Sequence, residues 1–503
     1  MILEGQADTI ATISSELQTR PSPINIAGTS PQSQASIPST NAHGISTIIT
    51  NASIPFGPWP FLSGDVQAQV QSLPPMTIPV KHKTSSSYLL SLPAMKALIG
   101  EYPRDLFFLL ESRNQLPSAL SFGEWSGLPP SPHLDETVTD YLVSAFFSTA
   151  HQWHPILDRE TFQTIYANFL MRGIDSSIET ALCLVVCALG AVATTPLEEG
   201  QDFKESPPGM DFIQYAMPIL ISQSSWSFSY SILLPQALVL ASLYFAYLVR
   251  PLQSWRLIYS ASTILQFKLS GYDFCSFCFY GDYNTDKISS LGPREDELGS
   301  HESVLRLFWS CFLVECDRLA ELELPRSGLQ QLTDETSLPS CNNLDPMQST
   351  CYLAEISIRR LLNRIHNSLY PRKQHVLTLS STTLMTADDI TLEEISSMTA
   401  VCDELHRQLE LWYSSIPEPF RPSLGPEPAT SDWEAVLRIR YFAARHIIYR
   451  PFALYINTHG GTGVPASIIE KAALCIETCR LYVHNTTQIL RKPSPYTWTF
   501  SVS

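Results

Sequence analysis

Residues 179–193 carry a single charge, Glu179, and residues 232–249 carry none. A helix with one buried stripe places charged residues on its other face, whereas segments this apolar on every side have to be enclosed by other elements. The stretch 302–322 is again mostly apolar, with Glu302 and Arg306 near its start and further charges near its end. Around these central segments, apolar residues recur at helical spacing. Tyr88, Leu89, Leu92, Met95 and Leu98 can line one face, and Leu106, Phe107, Leu109 and Leu110 form a second cluster. Residues 140–170 read as two helices broken at His154-Pro155, because proline forbids continuation. Further helical runs cover 254–266, 351–370, 391–413, 431–449 and 467–490. Three of them open with capping boxes, Thr391 to Glu394, Ser431 to Glu434 and Ser467 to Glu470. Pro451 is expected to end the helix that carries Arg450 and to leave that guanidinium for nearby carbonyls or carboxylates. Strand-type alternation is nearly absent. The pattern predicts an all-α, large multi-helix domain over 86–503, with polar or proline-rich joints at 128–132 and 281–300.

Residues 1–85 read differently. The first 80 hold five charged residues, Glu4, Asp8, Glu16, Arg20 and Asp65, amid Ser, Thr, Pro, Gln and Asn. That composition buries too little apolar surface to offset chain entropy, so this segment is expected to be disordered. Only 16% of the chain is charged, against about 25% in ordinary soluble proteins. The balance is 32 basic to 48 acidic residues, a net charge of −16. This balance does not favour binding a general nucleic-acid coat or an anionic membrane surface, which select for basic patches. The longest uncharged stretch, 212–249, raises the question of a membrane span; Pro235, Gln236 and Ser242 interrupt it, and a buried core helix is the favoured reading. The opening residues lack a secretory pattern, so the eleven cysteines are expected to be reduced thiols.

Candidate chemistry is sparse. Cys275-Ser-Phe-Cys278 has zinc-ligand spacing, but a structural site needs about four ligands and no second pair lies at a workable distance. Cys183 with Cys187, and Cys475 with Cys479, are spaced i,i+4 and share a helix face, which suits small buried side chains. His151 and His154 can share a face but lack a third ligand. The loop from His459 through Gly460, Gly461 and Gly463 lacks the Gly-Lys-Ser/Thr ending of a phosphate loop and reads as a connector. Glu315, Asp317, Glu321 and Glu323, interleaved with Arg318 and Arg326, read as ion pairing at a helix end. No nucleophile elbow, zinc-protease pair or dinucleotide fingerprint occurs. The expectation is a non-enzyme with no catalytic, cofactor-binding, metal or DNA-binding residue in this chain.

Four segments, in order, resemble the fungal-specific transcription factor domain, the helical regulatory region of fungal binuclear zinc cluster regulators. They are Tyr141-Leu-Val-Ser-Ala-Phe-Phe with His154-Pro-Ile-Leu-Asp-Arg-Glu-Thr-Phe162; Gln236 to Tyr244 with Ser254-Trp-Arg-Leu-Ile-Tyr-Ser-Ala-Ser262; Glu302-Ser-Val-Leu-Arg-Leu-Phe-Trp-Ser-Cys-Phe312 with Glu315-Cys-Asp-Arg318 and Leu324-Pro-Arg-Ser-Gly-Leu329; and Leu437 to Phe452, ending in Tyr-Arg-Pro-Phe. Together they span about 140–456. The residues that carry the resemblance are His154, Pro155, Phe162, Trp255, Phe308, Trp309, Arg318, Pro325, Tyr449, Arg450 and Pro451, all expected to build the fold. The resemblance implies a nuclear transcription regulator, of a metabolic or secondary-metabolite gene cluster, acting through the transcription machinery or related regulators and a small-molecule effector. The alternative is a ligand-sensing or scaffold protein that does not bind DNA and pairs with related regulators. The family's six-cysteine cluster is not in this chain, whose first cysteine is Cys183. Zinc and direct DNA contact are therefore expected only from a cluster outside it. The resemblance also leads one to expect further apolar helix beyond 496–503, as in a longer regulator.

Overall fold

The computed structural model describes residues 86–103, 106–114, 120, 132, 134–195, 207–227, 231–270, 301–319, 322, 324–370 and 392–502. The expected disordered segment 1–85, the Cys275/Cys278 pair, the joint at 281–300 and nearly all of that at 128–132 lie outside them, as do Glu321, Glu323 and Thr391. Among the described residues every regular element is helical. In chain order they are α1 (Ser86–Ser91), α2 (Pro93–Ile99), α3 (Leu106–Arg113), α4 (Glu136–Ser148), α5 (Ala150–Trp153), α6 (Arg159–Arg172), α7 (Ile178–Thr194), α8 (Met210–Trp226), α9 (Leu233–Tyr247), α10 (Pro251–Ser270), α11 (His301–Leu319), α12 (Pro346–Leu369), α13 (Leu392–Ser415), α14 (Asp432–His459), α15 (Ala466–Ile489) and α16 (Thr497–Val502).

Two apolar cores organise them. The first gathers Phe146, Leu184, Leu240, Ile258 and Trp309 from α4 to α11. The all-apolar segments sit at its centre: α7 is buried from Thr180 to Gly190, and α9 from Leu234 to Tyr247. Gly190 lets α4 approach α7 closely, since a Cβ there would lie 2.0 Å from the Leu142 carbonyl oxygen. The second core gathers Ile365, Leu409, Val436, Phe452 and Cys475 from α12 to α15. Helix α12 serves both, with Tyr352 and Ile356 in the first and Ile358, Leu361 and Ile365 in the second. No helix among the described residues is long and apolar enough to cross a membrane. Of the uncharged 212–249 stretch, residues 212–226 lie in α8 and 233–247 in α9, separate helices that both contribute to the first core.

The His154-Pro155 break is held by side chains that satisfy its backbone. His151 Nε2 donates to the Leu157 carbonyl at 2.9 Å, Gln236 Nε2 to Ile156 at 2.7 Å, and Gln348 Nε2 to His151 at 3.0 Å. Asp158 then caps α6, accepting from the Thr161 amide. After α11, Glu302 accepts from the Ser340 and Cys341 amides at 3.0 and 2.8 Å, where Cys341 takes the left-handed φ of 53°. Glu315 accepts from the Ser327 amide and hydroxyl at 2.6 and 2.7 Å. Two carboxylates of one helix thus fix the returning loop.

Three local expectations need correction. Pro451 does not end its helix: α14 runs through it to His459. Proline removes the N–H that would bond the carbonyl four residues back, and here the Tyr370 hydroxyl donates to that Ile447 carbonyl at 2.9 Å instead. Ser467 is not an N-cap, because α15 starts at Ala466 behind Pro465. Ser431 does cap α14, accepting from the Glu434 amide at 3.1 Å. The return bond of that box goes one residue further back, to the Thr430 amide at 2.7 Å.

Candidate functional site

Charge is scarce in this chain, so its burial is informative. At the end of α11, Asp317 and Arg318 are both almost inaccessible, as are Glu355 and Arg359 on α12 and Arg440 on α14. Arg440 Nη2 donates to both Asp317 oxygens at 2.9 Å, and its Nε donates to Glu355 Oε1 at 2.7 Å. Arg359 also donates to Asp317. Arg318 Nη2 donates to the Pro495 carbonyl at 2.6 Å. The Tyr496 and Phe500 rings lie 5.4 and 5.0 Å from the Arg440 guanidinium. A buried ionic junction therefore ties α11, α12, α14 and the 494–502 segment together.

The electrostatics follow from this geometry. Burial would raise the Asp317 carboxyl, but Arg359, Arg440 and Arg318 outweigh it and hold it below the usual range. Glu355 goes the other way: burial raises it, with the Asp317 charge adding, against Arg440 and Arg359. Burial lowers Arg318 to about 10. Three guanidiniums face two carboxylates, and Arg318 Nε, Arg318 Nη1, Arg359 Nε and the Tyr496 hydroxyl have no hydrogen-bond partner. Unpaired charge in a dry interior is costly, so the junction is tightly specified.

Of the eleven residues carrying the resemblance, His154 and Arg318 meet here, around Asp317. His154 is buried and its Nδ1 has no partner; desolvation lowers it to about 3, so it is neutral. Pro155 is buried in the break and Phe162 packs on Phe147 with centroids 5.6 Å apart. Phe308 and Trp309 are fully enclosed, and Trp309 Nε1 donates to the Ser337 carbonyl at 2.8 Å. Half-exposed Trp255 donates to the carbonyl of exposed Pro325 at 3.2 Å. Tyr449 is buried beneath Lys471, whose Nζ lies 5.5 Å from the ring. Arg450 donates to His446 Nε2 at 2.7 Å, and Pro451 is buried within α14. The eleven are distributed through both cores and line no common cavity.

The acidic residues 315 and 317 do not pair along their own helix end as expected. Asp317 finds Arg359 and Arg440, 42 and 123 residues away. Glu355, Arg359, Arg440 and Tyr496 escaped the sequence reading. The available signal was a charge on the apolar face of a periodic helix, as at Glu355 between Cys351 and Ile358. Nothing in the sequence says which distant charge answers it.

Chemically, the junction pairs buried charges within the chain. Its carboxylates are answered by guanidiniums and the whole group is shut from solvent. Cys183 and Cys187 are buried among apolar side chains. Among the described residues no three His, Cys, Asp or Glu side chains gather as a metal site, so zinc has no fitting donor set there. The loop after His459 is exposed, with Gly460 at a φ of 76° closing α14.

Comparison with known proteins gives two matches. The model of the fungal specific transcription factor domain matches residues 143–414, more than half of the chain. A curated protein of Aspergillus rugulosus named "Putative transcription factor ecdB" is 24% identical over 398 residues, covering 73% of this chain and 62% of its own length. The chain thus spans under two thirds of that relative. No solved structure matches.

Proposed function

This chain belongs to the fungal specific transcription factor domain family, and on that premise we propose that it regulates transcription in a fungal nucleus, with a metabolic or secondary-metabolite gene cluster as its target. The family match over 143–414 carries this reading. A role without catalysis is supported by the burial and mutual pairing of Asp317, Glu355, Arg359 and Arg440, which leave those ionisable groups occupied with one another. The helical domain docks the transcription machinery or related regulators and answers to a small-molecule effector. It holds no resident cofactor, and DNA is reached through a zinc cluster outside this chain. The relative's printed name, a transcription factor, points the same way.

Deleting the gene and measuring transcripts genome-wide tests this proposal. A coherent set of changed genes, concentrated in one metabolic cluster, is expected. An unchanged transcript profile contradicts it.

A further inference from the structure

Helix α15 packs its inner side on α14, with Ile468, Ala472, Cys475, Tyr482 and Ile489 buried in the second core. The Cys475 thiol donates to the His446 carbonyl at 3.5 Å, and Cys479 is half-buried at the border of this side. On the outer side, Ile469, Ile476 and Val483 recur every seven residues and are 43%, 52% and 59% exposed. Ala473, Arg480 and Thr487, also exposed, fall between and beyond them. The spacing alternates between four and three residues, so all six lie within about 40° of one line along the helix. That is the period of a seam made to pack on another helix. Among the described residues no other helix carries exposed large apolar side chains along more than one turn of a common face. Val401 and Leu411 on α13 are about 80° apart around their helix, and Ile221 and Trp226 on α8 about 140°. Scattered exposure of that kind is ordinary, whereas a continuous apolar stripe marks an interaction surface.

Charge decides what covers the stripe. Glu470 and Glu477 flank it on one side and Arg480 interrupts it. None of the three makes a side-chain hydrogen bond or ion pair among the described residues. A parallel pairing of two such stripes would set Arg480 against the partner subunit's Arg480. An antiparallel pairing, about a twofold axis at the level of Thr478, sets Ile476 against the partner subunit's Arg480 instead. It also sets Ala473 against the partner subunit's Val483 and Ile469 against the partner subunit's Thr487, a smaller side chain facing a larger one in each case. The arginine stem covers the isoleucine, and its guanidinium reaches the carboxylate of the partner subunit's Glu477, one residue along. The same contacts repeat across the axis, as an isologous pair requires.

We propose that the outer face of α15 is a self-association surface, pairing antiparallel with α15 of a second copy of this chain. The stripe offers few residues against the roughly 20–30 a side of a standard interface, so the dimer is reversible, with a dissociation constant in the micromolar range. Self-association is read out as mass and is independent of the transcriptional role, so either can fail without the other.

Sedimentation velocity of the full chain from about 1 to about 100 μM tests it. The average mass is expected to rise with concentration from one chain towards two. Ile476→Glu sets like charges into the seam and should raise the dissociation constant at least about tenfold, with an unchanged melting curve showing that the fold is intact. Glu477→Arg and Arg480→Glu each place like charges across the axis and should be monomeric alone, whereas an equimolar mixture of the two should recover the dimer. A chain that stays monomeric throughout, a dimer that Ile476→Glu leaves unchanged, or a mixture no tighter than the two variants apart, would overturn the proposal.

Discussion

Asp317→Asn removes one charge from the junction with little change of shape. Asp317 accepts two bonds from Arg440 and one from Arg359, with the Arg318 charge also acting on it. In the variant, Glu355 alone answers three buried guanidiniums, and an amide N–H2 replaces an oxygen that faced donors. Bonds to charged groups contribute about 1.5–3 kcal/mol each, but they are not additive, and breaking a buried ion pair costs about 3–5 kcal/mol in total. At about 2.1 cal/mol/K per residue, a domain of about 400 residues changes stability by roughly 0.8 kcal/mol per degree. A loss of about 4 kcal/mol therefore lowers the melting midpoint by about 5 °C. The Asp317 pKa is depressed in the folded state, so its contribution is complete above the unfolded value of about 3.9 and is lost as pH falls through the folded value. The gap between variant and wild type should accordingly stay constant from pH 6 to 8. Asp317→Asn with Arg359→Met should lose less than the two singles summed, because the second change removes a cation that the first leaves unanswered. Thermal unfolding followed by circular dichroism measures all three variants. A midpoint for Asp317→Asn within about 1 °C of wild type would refute the assignment of the junction as a structural clamp.

Buried histidines make the domain acid-labile. Desolvation lowers His154 and His446 to about 3 and His151 to about 4, so each must take up a proton on unfolding below about pH 6.5. Their stabilisation is complete above that value and lost as pH falls, giving a slope near pH 5 of about 3 kcal/mol per pH unit after the opposite proton of Glu111 is subtracted; a flat stability profile from pH 6.5 to 5 contradicts this. Glu111, raised to about 7 mainly by burial, destabilises the fold as it ionises. Glu111→Gln should therefore gain up to about 3 kcal/mol over wild type at pH 8 and none at pH 4, as chemical denaturation at the two values will show. Tyr370→Phe leaves the half-buried Ile447 carbonyl, four residues before Pro451, without this donor and should cost about 1 kcal/mol in the same assay. Gly190→Ala drives a Cβ to 2.0 Å from the Leu142 carbonyl oxygen and should cost at least about 1–3 kcal/mol as α4 and α7 are pushed apart.

Helix class was readable because apolar periodicity is a local property. The charge-free runs identified α7 and α9, and the Ser431 signal located the start of α14. What failed depended on distant partners. Pro451 stays helical because Tyr370, 77 residues from Ile447, supplies the missing hydrogen bond. Helix α8 was hidden by the internal Pro218 and by the serines at its end, both unfavourable by local propensity. The junction was half visible: Asp317 and Arg318 stand out on an apolar helix, but their pairing across 42, 123 and 177 residues is a consequence of the fold. Cys475 and Cys479 were legible as a helix-face pair, whereas the Arg450–His446 contact beside them required α14 and α15 to be placed together.

The full chain fused to a heterologous DNA-binding module, and recruited to a reporter promoter carrying that module's site, isolates the regulatory role from any DNA contact of its own. Reporter transcript should rise or fall well beyond the level given by the DNA-binding module alone, and Asp317→Asn should lose that effect at temperatures where its helices have melted. Transcript identical to that of the module alone, with the fusion folded and bound at the promoter, would contradict a regulatory function for this domain.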